Sequence, residues 1–297
     1  MLQHSFSHRL VIAARLFVGS GAWEIMTHSS QNTYSTVSVM LHDFVAALAE
    51  IVSWDYAASL WLNSFAGHTP ALDRFVYNLA DSAMLKGGLF MAVFWWLWFK
   101  RDEITTQRRQ TILTALAGAI IAIGVARVLQ LILPFRARPL HNEALNLTPP
   151  TVVNPDTLDG WSSFPSDHAV LFFALALAVW RLNRPLGVFA FLWSSIAICL
   201  PRLFLGYHHA TDVLVGAVIG IAVMLAAFAT LRPRLLAQPL LRWEKAHATS
   251  FYCAAFVASL QLAVLFRDVR QLTVDGIGLV HHLTVTRAVA TEAAGVQ

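Results

Sequence analysis

Residues 111–133 read Thr-Ile-Leu-Thr-Ala-Leu-Ala-Gly-Ala-Ile-Ile-Ala-Ile-Gly-Val-Ala-Arg-Val-Leu-Gln-Leu-Ile-Leu, 23 positions with one charge, Arg127. About 20 consecutive apolar residues suffice to cross the hydrocarbon of a bilayer, so this stretch reads as a membrane span. Upstream, Ala83–Phe99 is apolar apart from Lys86 and runs into Trp95, Trp96, Trp98, Lys100 and Arg101, an aromatic-then-basic edge typical of a membrane–water interface. Downstream, Ser166–Trp180, 185–201 and 213–231 are three more apolar runs, and 248–266 is a further one without charge.

Composition agrees. Of 297 residues 57% are apolar and 13% are charged, about half the roughly 25% charge of an ordinary soluble domain. Mean hydropathy is +0.59. These values exclude an ordinary cytosolic enzyme and a disordered chain. The net charge of +4 is read as a property of cytoplasmic loops. No Lys/Arg run interleaved with aromatics points to nucleic acid. Cys199 and Cys253 lie in apolar stretches without a CxxC or Cys/His cluster, so neither a disulfide framework nor a zinc site is expected.

The predicted fold is all-α, a polytopic membrane helix bundle of about five to six transmembrane helices with amphipathic helices before the core. Residues 1–54 are read as an N-terminal extension of interfacial helices, because His42, Asp43 and Glu50 crowd Ser38–Val52. Residues 55–231 form the membrane-embedded core. Its first part, 55–81, has apolar residues near helical spacing around a Gly67–Pro70 break. Residues 232–297 form a C-terminal region with an extra span at 248–266, and the tail after Arg267 is unassigned.

Basic residues fall in the 100–110 loop, at Arg181 and Arg184, and at Arg232, Arg234, Arg242 and Lys245. Alternating spans put these on one side, expected to be cytoplasmic. The 134–165 loop, the helix start at Ser166 and the 202–212 turn then share the opposite side.

Those three places hold the polar chemistry. The first is Pro134-Phe-Arg136-Ala-Arg138-Pro139, whose guanidinium groups present paired donors matching phosphate oxygens; snorkelling interface anchors are the plainer reading. The second is Ser163-Phe-Pro165-Ser166-Asp167-His168, a helix start whose free N–H groups suit an anion. Ser166 adds a donor, and His168 is within reach of an ester oxygen. The third is Arg202-Leu-Phe-Leu-Gly-Tyr-His208-His209-Ala-Thr-Asp212. His208 and Asp212, four apart, share a helical face, and a carboxylate on one imidazole nitrogen fixes the tautomer and sharpens the other as a nucleophile. His209 is a rival nucleophile. Together the pieces supply what phosphoryl transfer through a covalent phosphohistidine requires, with no metal or cofactor.

The ordered set resembles the type 2 phosphatidic acid phosphatase superfamily, and locally its bacterial undecaprenyl-diphosphate phosphatases. The family pattern is Lys-x6-Arg-Pro, Pro-Ser-Gly-His and Ser-Arg-x5-His-x3-Asp. Arg138-Pro139, Pro165-Ser166-x-His168 and Arg202-x5-His208-x3-Asp212 match it. The chain departs at Leu131, where the family lysine would fall, at Asp167 for the glycine, and at Pro201 for the serine. Arg136 is favoured for the missing cation by its nearness to Arg138, with Arg127 as a buried alternative. The negative charge of Asp167 is expected to favour a protonated His168.

The resemblance implies His208 as nucleophile, Asp212 orienting it and His168 as general acid and then base. It implies Arg138, Ser166 and Arg202 holding the phosphate, with Arg136, Arg127 and Asp167 beside them. The implied function is an integral membrane lipid phosphatase acting on a lipid phosphate or diphosphate, undecaprenyl diphosphate first, in a bacterial inner membrane with the site facing the periplasm. A lipid phosphotransferase and a non-catalytic anion-binding transport or assembly subunit are the alternatives.

Overall fold

The structure, a computed structural model, describes residues 39, 42–43, 46–47, 50–154 and 156–264. The readings made for residues 1–38 and for the tail after Arg267 lie outside the described residues. The chain divides into two units, Met1–Asp55 and Tyr56–Gln297. In the first, every described residue is helical.

The second unit is helical throughout its framework, with no strand among the described residues. A helix over 56–63 ends in a turn where Gly67 takes a φ of +78°, a left-handed conformation that glycine adopts without a Cβ penalty. Pro70 then opens α1, Pro70–Asp81, since proline lacks the N–H that a first helical position leaves unbonded. The break expected at Gly67–Pro70 is therefore present. Buried Asp73 accepts from the Gly67 N–H, at 3.2 Å, and the Thr151 N–H, at 2.9 Å, tying the long 134–165 loop to the start of α1.

A 56° bend and a π-helical turn, Met84–Gly88, lead from α1 into α2, Leu89–Phe99. Then follow α3 (Thr105–Ile132), α4 (Asp167–Leu182), α5 (Arg184–Phe204, with a π-helical turn at Ser194–Cys199), α6 (Ala210–Thr230), α7 (Pro233–Ala246) and α8 (Ala248–Ala263). Helices α3, α5 and α6 are each long and apolar enough to cross a membrane, and the bent pair α1–α2 makes a fourth span if taken as one. The chain is an all-α membrane bundle. Two of the expected spans, α4 and α8, are 16 residues each, or about 24 Å at the α-helical rise, short of the roughly 30 Å hydrocarbon core. For α4 the reason is position. Val170, Leu171, Phe172, Ala174, Leu175, Ala176 and Ala178 have no exposed surface, so this helix is surrounded by protein.

Helices α4 and α6 approach each other closely. A Cβ on Gly220 would lie 2.1 Å from the Val170 carbonyl oxygen, and one on Gly216 2.8 Å from the Ser166 carbonyl oxygen. Small residues four apart let two backbones meet where lipid offers no hydrophobic drive for association.

The basic segments gather at one end. Arg109 pairs with Glu244 at 2.8 Å, the Arg181 guanidinium lies 4.9 Å from the Phe228 ring centroid, and Arg181, Arg232 and Arg234 line one cavity with Gln107. The three motif segments gather at the other end.

The packing makes a ranked prediction. Overpacking costs about 1–3 kcal/mol. Gly220→Ala should lower the thermal midpoint in detergent clearly, and Gly216→Ala by less. A Gly220→Ala protein that melts with the wild type contradicts the packing.

Candidate active site

One cavity of about 380 Å³ lies at the motif end, walled by Arg127, Arg138, Asp167, His168, Arg202 and His208, with Lys86, Asp81, Tyr77, Trp161 and Tyr207. Each wall residue is held by a local feature of its segment. Ser166 is the N-cap of α4 and accepts from the Ala169 N–H at 3.5 Å, so Asp167 and His168 occupy the first turn. Gly206, at φ +70°, turns the chain between Arg202 and His208, and its carbonyl accepts from the Leu140 N–H at 2.9 Å. His209 caps α6, and its N–H donates to Asp212 at 2.8 Å.

Arg138 stitches the segments together. Its Nη1 donates to the Tyr207 carbonyl at 2.6 Å, Nε to Trp161 at 3.1 Å and Nη2 to Ser162 at 3.2 Å. Burial pulls its pKa down to about 10, which leaves it charged at neutral pH.

The tautomers of both histidines follow from their partners. His208 Nδ1 lies 2.9 Å from the Ser163 carbonyl, which only accepts, so Nδ1 carries the hydrogen and Nε2 the lone pair. His168 Nε2 lies 2.6 Å from Arg202 Nη2, which only donates, so Nε2 accepts and Nδ1–H donates to Asp167 at 2.8 Å. Asp167 is held from its other oxygen by Arg127, at 2.6 Å, and Arg127 is braced by Gln130, at 2.9 Å. Arg202 Nε is buried without a hydrogen-bond partner. The wall is thus cationic, with an imidazole lone pair at one position and an arginine-held imidazole at another, a combination suited to a phosphate group.

The PAP2 superfamily model matches residues 135–235. Two relatives are proteins named BcrC. The bacitracin transport permease protein BcrC of Bacillus licheniformis is 28% identical over 180 residues, covering 57% of this chain and 77% of the relative. The undecaprenyl-diphosphatase BcrC of Bacillus subtilis is 26% identical over 170 residues, 54% of this chain and 76% of the relative. A decaprenylphosphoryl-5-phosphoribose phosphatase of Mycobacterium tuberculosis is 36% identical over 118 residues, 39% of this chain and 59% of the relative. No solved structure matches the chain.

The remaining expected site residues are placed as follows. Arg136, favoured for the missing cation, does not line the cavity; its Nη1 is committed to Asp212, at 2.5 Å, and Thr211, at 2.8 Å. Leu131, the position of the family lysine, is 83% exposed on the outside of the bundle. Arg127 and Lys86 are the cations that reach the cavity instead. Ser166 is fully buried behind the wall as a helix cap. Asp167 faces Arg127 and His168, an anchor for a cation and an imidazole. With the Arg202 donor on Nε2, His168 carries no hydrogen at that atom, against the expected protonated imidazole. The Asp212 carboxylate stands 3.7 Å from His208 Nδ1, farther than Ser163 O, so the backbone carbonyl is the nearer orienting partner. His209, the rival nucleophile, is turned away from the cavity, with Nε2 3.3 Å from the Ala137 carbonyl and its ring stacked on Tyr56.

Sequence reading passed over Lys86 and the Ser163 carbonyl. A lone charge inside an apolar run was the available signal for the first, while a backbone acceptor has no residue signature.

Two predictions follow from this geometry. Burial pushes the His208 pKa below the ordinary imidazole value, against the pull of Asp212. Its neutral form therefore persists to lower pH, and if this imidazole reacts, the acidic limb of kcat/KM falls below about pH 6.5; a limb at or above that value counts against His208 as the reacting group. Arg136 aligns Asp212 through a charge-assisted bond of about 1.5–3 kcal/mol. Arg136→Met should lower kcat roughly 10- to 100-fold with KM little changed. A raised KM at constant kcat would return Arg136 to the phosphate-binding set.

Proposed function

We propose that this protein is a membrane phosphatase that hydrolyses a lipid phosphate or diphosphate through a phosphohistidine on His208, with an isoprenoid diphosphate as the favoured substrate. The single observation that carries the reading is the His208 tautomer. Nδ1–H donates to Ser163, which aims a lone pair on Nε2 toward a cavity walled by Arg127, Arg138 and Arg202.

The reaction is written in two displacements. His208 Nε2 attacks the outermost phosphorus, the P–O bond to the lipid side breaks, and the arginines take up charge on the equatorial oxygens. Arg202 turns from His168 to the phosphate, which frees His168 Nε2 to take up a proton from solvent water and deliver it to the leaving oxygen. Asp167, held by Arg127, supports the imidazolium from Nδ1. Water then attacks phosphorus, His168 Nε2 takes its proton, and the His208–phosphorus bond breaks to release inorganic phosphate.

The name of the Bacillus subtilis relative, an undecaprenyl-diphosphatase, supports a polyprenyl diphosphate as substrate. The name of the Mycobacterium tuberculosis relative supports a polyprenyl-linked phosphate. The basic segments at the opposite end support an orientation with the cavity at the extracytoplasmic face of a bacterial inner membrane. The apolar tail then stays in the bilayer while the head group enters the cavity.

Purified protein in detergent should release phosphate from a prenyl diphosphate, keep doing so in EDTA, and lose this activity in His208→Ala. Full activity in His208→Ala overturns the mechanism. Labelled phosphate appearing on a second lipid instead of in solution would assign a phosphotransferase.

A further inference from the structure

Lys86 is the one charged residue between Ala83 and Phe99 and is 7% exposed. A charge in such a run is costly unless it meets protein or a ligand. The π-helical turn Met84–Gly88 carries it to the cavity wall, and the backbone there is closely packed: a Cβ on Gly87 would lie 2.3 Å from Ala263 Cα at the end of α8. π-Helical turns recur at functional sites.

Two cationic heads meet at one oxygen. Lys86 Nζ donates to the Ala80 carbonyl at 2.6 Å and Arg202 Nη2 to the same carbonyl at 3.3 Å, which puts the nitrogens within about 6 Å of each other. Arg202 Nη2 in turn contacts His168 Nε2 at 2.6 Å. Lys86 thus lies next to Arg202 on the side of the imidazole assigned to the leaving oxygen. A phosphate oxygen makes a strong, charge-assisted bond with an ammonium group. A monophosphate ester leaves an alcohol on the His168 side. A diphosphate leaves a second phosphate group there, which needs a cation.

We propose that Lys86 recognises the second phosphate of a diphosphate, holding the phosphate on the leaving side while His208 attacks the outer one. The proposal rests on the phosphatase reading above and deepens it by naming the residue that separates diphosphates from monophosphates. Asp81 lines the same cavity, so a role confined to offsetting that carboxylate is the rival outcome.

The test uses the full chain in detergent with farnesyl diphosphate and farnesyl monophosphate, and compares wild type, Lys86→Met and Lys86→Arg. Loss of one charge-assisted contact corresponds to about 10- to 100-fold. Lys86→Met should lose that much kcat/KM on the diphosphate and much less on the monophosphate, and Lys86→Arg should keep the wild-type preference. Binding is read separately, by thermal shift with inorganic pyrophosphate and orthophosphate. Lys86→Met should weaken pyrophosphate and leave orthophosphate little changed. Equal losses on both substrates and both anions assign Lys86 to offsetting Asp81 and overturn the proposal, as does an unchanged preference. The binding arm needs no turnover, so it decides the proposal even where phosphate release fails. Failure of the phosphatase reading is seen instead as an inactive wild type or an active His208→Ala.

Discussion

The close approach of α4 and α6 at Gly216 and Gly220 is the constraint on which the site depends. The Val170 and Ser166 carbonyls occupy the space that a Cβ on either glycine would need. With the backbones this close, the Ser166 N–H reaches the Asp212 carbonyl at 3.1 Å, linking the start of α4 to the first turn of α6. The second and third motif segments are thereby fixed against each other before any substrate contact is considered. Arg138 brings in the first segment by donating to carbonyls of both others.

The site's chemistry is set as much by backbone as by side chains. A carbonyl of the second segment fixes the hydrogen on the His208 imidazole of the third. The Asp212 carboxylate, clamped by Arg136 and by the His209 N–H, supplies negative charge close by. On the other imidazole, Asp167 and Arg202 bracket the ring from opposite nitrogens. Apart from the Arg202 Nε, the charges of this network meet hydrogen-bond or ion-pair partners, which is what allows so many ionisable groups to sit at one end of an apolar bundle.

Much of this was legible in the residues. The 23-residue run around Arg127 and the aromatic edge at Trp95–Trp98 gave the membrane bundle, because hydrocarbon thickness and backbone satisfaction leave few options. The spacing of Arg202, His208 and Asp212 gave the third segment because helical periodicity ties residues four apart. The facing of Arg136 was not legible, because nearness to Arg138 along the chain does not set it. Lying two residues apart in an extended loop, the two side chains serve different partners: Asp212 for one, carbonyls for the other. The shortness of α4 is explained by its burial, since a helix wrapped by protein does not need to match the bilayer by itself. Lys86 was visible only as an exception inside an apolar run, and its direction depends on a π-helical turn with no clear sequence signal. Gly216 and Gly220 stood in the sequence at a spacing suited to helix contact, but their partner, α4, could be identified only in three dimensions.

The central claim is that Nε2 of His208 takes up the phosphoryl group. Its most direct measurement is an alkaline quench of the wild-type protein during turnover of a substrate labelled on its outer phosphate, followed by mass spectrometry of the phosphorylated peptide. The account predicts label on His208 as the Nε2 isomer, lost on acid treatment. Label on His209, on Nδ1, or on no histidine would contradict it.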